Sequence, residues 1–138
     1  MKLGPDEARE LFAGSPVARL ATASNDGMPH LVPVTFAVDE GHIYFAIDHK
    51  PKSTWNLRRL RNIHENGQVT LLVDHYADDW SQLWWARADG RAEIWEDSAR
   101  RAAPLELLSR KYQQYRENPP SGPVVVTKVD QWSGWSFR

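Results

Sequence analysis

The stretch VARLATASNDGMPHLVPVTFAVDEGHIYFAI, residues 17–47, constrains the fold more than any other part of the chain. Three runs rich in β-branched and aromatic residues are separated by two short polar breaks, NDGMP and DEG. Side chains of that kind suit a pleated, half-buried surface. Asp26-Gly27 is a hairpin signal, because tight turns need positive φ and glycine adopts it freely. The runs 17–24, 30–38 and 42–47 are therefore predicted as consecutive antiparallel strands. Pro33 lies inside the second run. Proline cannot donate to a ladder, so this strand is expected at an edge or a bulge.

Three more strands are predicted downstream. QVTLLVDHY (68–76) alternates apolar and polar residues, SQLWWARADGRAEIWED (81–97) is expected to bend at Asp89-Gly90, and VVVTKV (124–129) precedes an aromatic tail, DQWSGWSFR. Helical spacing appears in three places. The first helix has Pro5 in its opening turn and Gly14 after its end. The second is expected to start near Ser53 or Thr54, carry Leu57, Leu60, Ile63 and His64 on one face, and close at Gly67. The third and longest covers SARRAAPLELLSRKYQQYRE, with Leu105, Leu108, Tyr112 and Tyr115 in phase and Pro104 near its start. The expectation is a mainly β domain spanning 1–138: six antiparallel strands closing into a small barrel with helices outside.

Composition narrows the chemistry. With no cysteine, thiolate catalysis and Cys-ligated zinc are excluded, and a cytoplasmic chain is expected. A net charge of -1 argues against a globally basic nucleic-acid binder. No apolar run is long enough for a signal peptide or a membrane span. No G-x-S-x-G, P-loop or G-x-G-x-x-G motif occurs, and the five histidines lack metalloprotease spacing. Asp74, His75, Asp78 and Asp79 suggest a metal set, but neighbours on a strand face opposite sides. No metal site is expected, and an enzyme of this composition would borrow a cofactor.

IDHKPKSTWNLRRLRNI, residues 47–63, places Lys50 and Lys52 just before a predicted helix start. Cations there oppose the helix dipole by roughly 0.3–1 kcal/mol each. A bound anion would reverse that cost, since exposed N–H groups, the Ser53 and Thr54 hydroxyls and Arg58 one turn inside would all donate to it. The corner reads either as a phosphate pocket or as a solvated charged face. The seven tryptophans have two readings as well. Most are expected in the core or a subunit contact, while Trp84, Trp85, Trp132 or Trp135 could stack on a flat ring.

The motifs ARLAT, DGMPH, VPVTFAVDEG, IYFAID, the lysine-bearing turn and NLRRLRN…VTLLVD together resemble the pyridoxamine-phosphate-oxidase-like split-barrel family. DHKPKS, LRRLRNI, LLVDHYADDWSQLWWARADGRA and WSGWS are similar to its coenzyme F-420-dependent subgroup. The resemblance implies a homodimer with two cofactor sites at the interface. It places the cofactor phosphate at Lys50, Lys52, Ser53 and Thr54, and the ring system along Pro33, Val34, Thr35 and Phe36 beside Ala46 and Ile47. Trp84 or Trp85 would border the ring, and the tail around Trp132 and Trp135 would reach the partner's site. The run 30–38 has no lysine or arginine, which departs from the oxidases proper and weakens the case for FMN. A deazaflavin, its anionic tail met by Arg58 and Arg59, is the cofactor expected. The implied activity is hydride transfer from coenzyme F-420 to a small unsaturated substrate, without an assigned catalytic acid or base. The alternatives are an FMN-binding oxidoreductase and a non-catalytic cofactor or tetrapyrrole binder.

Overall fold

The computed structural model describes residues 1–48 and 57–138. A short β1 (Lys2–Leu3) leads into α1 (Pro5–Ala13), then β2 (Ala18–Ala23), β3 (Pro29–Val34), β4 (Ala37–Asp39) and β5 (His42–Ala46). α2 (Arg58–Glu65) and β6 (Gln68–His75) come next, and a 3-10 turn over Trp80–Gln82 opens into β7 (Trp84–Trp95). α3 (Ser98–Lys111), α4 (Gln113–Glu117) and β8 (Val124–Ser136) complete the chain. The strands form one antiparallel sheet in the order β3-β2-β6-β7-β8-β5-β4, with β1 beside β8.

The two end strands of that order, β3 and β4, are consecutive in the chain and joined only by Thr35 and Phe36. From Val34 to Ala37 the chain can span about 10–11 Å at most, so the sheet must curl until its ends nearly meet. A seamed barrel results. Leu20, Phe36, Ile43, Phe45, Leu71 and Val73 fill its interior. Phe12 of α1 plugs one end, with its ring 5.0 Å from Phe36 and 5.4 Å from Trp132.

The observed count is eight strands where the sequence predicts six. The run 30–38 divides at Thr35-Phe36 into β3 and β4, and two residues at the start pair with β8 as Lys2↔Trp135 and Leu3↔Gly134. β8 itself continues to Ser136, so most of the expected tail is strand, held by pairing with β7. The Asp26-Gly27 turn forms as expected: Gly27 has φ +83° and its N–H donates to the Ser24 carbonyl. Pro33 lies on an end strand, as its missing donor requires.

Two helix expectations need correction. α2 begins at Arg58, with Leu57 still extended, and the predicted start at Ser53 or Thr54 falls outside the described residues. Pro104 sits in the middle of α3 instead of near its start. An interior proline costs about 3 kcal/mol in an exposed helix. Here its ring is buried, which offsets part of that cost.

Residues at the end of α3 and just after it brace the barrel seam. The Tyr112 hydroxyl accepts from the Phe36 N–H at 3.0 Å and lies 2.7 Å from the Pro16 carbonyl oxygen. Lys111, the last residue of α3, donates to the Ala13 and Ser15 carbonyls at the end of α1 and lies 3.7 Å above the Phe36 ring. Burial lowers its ammonium to about 8, while the carbonyls and the ring hold it charged at neutral pH.

The bend at Asp89-Gly90 is a register shift between β7 and β8, and glycine is required there. A Cβ at Gly90 would overlap the Lys128 carbonyl oxygen. Gly90→Ala should therefore destabilise the fold by about 1–3 kcal/mol in urea unfolding, the usual cost of overpacking. An unchanged midpoint would refute that close approach. Lys111 gives a second expectation. Its folded-state value lies below the unfolded 10.5, so the unfolded chain binds more protons between the two. Stability should rise with pH from about 8 to about 10.5, the deficit being complete below 8. Unfolding curves across that range should show the rise in the native chain and lose it in Lys111→Met.

Candidate functional site

Strand alternation sorts the predicted ring-contacting residues into two groups. The Val34, Phe36 and Ile47 side chains are buried in the core. Pro33 is exposed, while Thr35 and Ala46 are half-buried on the opposite side from the core. Continuing the register of β4 with β5 beyond Ala37 sets Thr35 opposite Ala46. The seam therefore offers Pro33, Thr35 and Ala46 to the outside.

Three further side chains meet at this seam. The Thr35 and Tyr115 hydroxyls lie 2.7 Å apart. Burial raises the Tyr115 hydroxyl above its ordinary value, and the Asp48 carboxylate adds to the rise by charge and as a hydrogen-bond acceptor. The hydrogen bond with Thr35 opposes the shift. The same carboxylate acts on Arg59, where burial pulls the guanidinium below its usual range and Asp48 partly restores it. Tyr115 was legible in sequence only as one of four residues in helical phase, with nothing local to tie it to Thr35 eighty residues away.

Lys50, Lys52, Ser53 and Thr54 lie outside the described residues. The start of α2, just beyond them, is consistent with an anion site on two counts. Its first turn holds Arg58 and Arg59 and no acid, and Leu57 at the N-cap offers no side-chain bond to the free N–H groups. The Arg59 Nε is buried with no hydrogen-bond partner among the described residues. A buried donor left unpaired costs about 1–3 kcal/mol, more when charged, and an anionic oxygen would relieve it. Arg58 itself is exposed.

The tryptophans divide likewise. Trp132 packs edge-on against Phe12 and belongs to the core margin. Trp84 also leans on the core and stacks on His75 at 6.1 Å. Trp84, Trp85 and Trp135 line a hollow of about 360 Å³ with Leu72, Asp74 and Tyr76. Over Trp85, at 5.4 Å, lies the Arg87 guanidinium, which pairs with Asp89 at 3.2 Å. Cross-strand partners share a face. Pro33, Arg19, Leu72, Arg87 and Ser133 form one such row, and Asp74, Trp85 and Trp135 form another on the same side. The hollow and Pro33 thus occupy one sheet face, with β6 two strands from β3, about 10 Å.

Among the described residues no group of three or more His, Asp or Glu side chains is placed to hold a metal ion, so Asp74, His75, Asp78 and Asp79 do not form one. No described helix is long and apolar enough to cross a membrane.

Solved structures with this architecture include three of nearly the same length. An FAD-binding protein from Mesorhizobium loti superposes with a TM-score of 0.74 at 22% identity, covering 97% of this chain and 95% of its own. The FAD-binding protein from Mycobacterium smegmatis gives 0.71 at 20% identity over 100% and 98%. The heme storage protein HutZ from Vibrio cholerae gives 0.72 at 17% identity over 95% and 92%. At these identities the likeness is one of fold. A search of curated proteins returned no match. The model of the pyridoxamine 5'-phosphate oxidase family, by contrast, matches residues 5–136, nearly the whole chain. By that match, and with an antiparallel sheet and flanking helices that superpose on these structures, the chain belongs to the pyridoxamine 5'-phosphate oxidase family.

Proposed function

We propose that the chain binds a phosphate-bearing tricyclic redox cofactor, a deazaflavin of the coenzyme F-420 type, and serves as a reductase of a small unsaturated molecule. The observation that carries this reading is the buried Nε of Arg59, unpartnered among the described residues, in an acid-free first turn. Lys50, Lys52, Ser53 and Thr54 shortly precede that turn in sequence and would complete the cradle. Arg58 would meet the outer part of the anionic tail. Pro33, Thr35 and Ala46 would support one side of the ring system.

When bound, the deazaflavin supplies a hydride and its electron pair. The protein's part is then to hold ring and acceptor face to face and to exclude water between them. Tyr115 holds Thr35 in place from the other side of the seam. FMN is the second reading, favoured by the family match and by FAD-binding proteins among the fold relatives. Its phosphate would use the same cradle. We also propose a homodimer that covers the exposed part of the outer sheet face, where Leu31 is 67% and Trp135 37% exposed.

Titrating the purified chain with coenzyme F-420, FMN and haem, each followed by tryptophan fluorescence, separates the readings. F-420 should bind tightest. Lys50→Ala combined with Lys52→Ala should weaken it by roughly 2–5 kcal/mol, and Arg59→Gln by about 1.5–3 kcal/mol. Unchanged affinity in both variants would place the phosphate elsewhere. Exclusive binding of haem would end both oxidoreductase readings.

A further inference from the structure

α2 has little of its own to fix its orientation. Its eight residues, Arg58–Glu65, begin after an uncapped leucine and carry two arginines in the turn where the dipole disfavours cations. Helices of this length are marginal alone, so tertiary contacts hold it in place. Leu60 and Ile63 pack into the core, and the helix lies against β2 and β7. Just past its C-terminus, Ala92 of β7 donates its N–H to the Gly67 carbonyl at 2.8 Å. That bond fixes where the helix ends but leaves it free to turn about its axis.

Asn62 removes that freedom. It is 1% exposed, and its Nδ2 donates at 3.0 Å to the hydroxyl of Thr22, 3% exposed, on β2. Thr22 is a firm support, since its strand pairs with β3 at this residue and with β6 just before it. A buried polar pair is not the most stabilising choice here. Two apolar side chains of the same shape would give equal or greater stability, because no polar group would need desolvating. What the pair adds is direction. Apolar packing tolerates small rotations, whereas a hydrogen bond keeps its length to within about 0.5 Å. Asn62 follows Arg59 by three residues, so the two lie on one side of the helix. Turning α2 by about 20° would carry an atom at the side-chain radius of about 5–6 Å through about 2 Å. Such a shift would take the Arg59 Nε, buried and unpartnered among the described residues, off any oxygen it is set to meet.

We propose that Asn62 is a positioning residue of the anion site: its bond to Thr22 sets the rotation of α2 and aims the Arg59 Nε at the phosphate of the bound cofactor. Resting on the cofactor reading above, this makes the cradle preformed, its donor directed from within the core before the ligand arrives. The aim of Arg59 can be measured without a cofactor, so the positioning role and the cofactor reading can fail separately.

Thr22→Val combined with Asn62→Leu removes the pair and nearly keeps its shape. The urea midpoint of this double variant should equal or exceed the native one. Its Arg59 Nε–H, followed by NMR in the cofactor-free chain and assigned with Arg59→Gln, should change chemical shift and exchange with water faster than the buried native group. Coenzyme F-420, titrated by tryptophan fluorescence, should bind about tenfold more weakly, the loss of one hydrogen bond to a charged group. Adding Arg59→Gln to the double variant should cost little more, since the donor it removes is no longer aimed. Thr22→Ser keeps the accepting hydroxyl and should rescue the affinity. Thr22→Val alone should reproduce the loss and replaces the double variant if that chain does not fold. An unchanged Arg59 signal on removing the pair, or a full further loss on adding Arg59→Gln, would overturn the positioning role. So would a fall in stability with F-420 affinity unchanged. Native F-420 affinity in Arg59→Gln, beside a shifted Arg59 signal in the double variant, would overturn the cofactor cradle alone.

Discussion

The two-residue junction between β3 and β4 is the constraint on which the rest of the architecture depends. A sheet whose first and last strands are adjacent in the chain cannot remain open, and Thr35-Phe36 sets how far it can part. The junction cannot pair with a neighbouring strand on its own account, so its backbone groups need other partners. Tyr112 takes the Phe36 N–H, and its hydroxyl also lies 3.1 Å from the Phe36 carbonyl oxygen. Lys111 covers the Phe36 ring and anchors the end of α1 at the same point. The segment joining α3 to α4 thus acts as a clasp over the seam, connecting elements distant in sequence.

That arrangement places recognition chemistry outside the barrel. The interior is filled by side chains, and on the outside α3 packs against β4, β5 and β8. At the seam, Arg58 and Arg59 come after the end of β5, with a donor on Arg59 that no described residue satisfies and Asp48 as the local counter-charge. Farther along the sheet, Trp85, Trp135, Tyr76 and Asp74 line a shallow hollow.

Much of this was legible because it is local. The Asp26-Gly27 turn, Pro33 at a sheet end and the Asp89-Gly90 irregularity each arise from the backbone needs of one or two residues. What escaped depends on partners far away in sequence. Gly134 and the serines of DQWSGWSFR argue against a strand, yet β7 supplies a full ladder for them, and a Cβ at Gly134 would come 2.7 Å from the Trp85 carbonyl oxygen. The start of α2 escaped because Ser53 and Thr54 look like caps, whereas the helix begins after an uncapped leucine. At the site, one strand's alternation decided the matter. A contiguous run such as Pro33, Val34, Thr35 and Phe36 cannot all face a ligand, and burial assigns Val34 and Phe36 to the core.

The same alternation separates binding from folding in any mutational study of this chain. Removing Phe36 would open a cavity beneath the seam and cost about 3–5 kcal/mol, whatever its relation to a ligand. Arg58, Asp74 and Pro33 stand in solvent, where substitutions usually change stability by no more than about 0.5 kcal/mol. Arg59 and Thr35 lie between these limits, half-buried and coupled to Asp48 and Tyr115. A lost affinity at Arg58 therefore reports on the guest. The same loss at Phe36 reports on the barrel, and only its outward neighbours along the seam can tell a cofactor site from a fold.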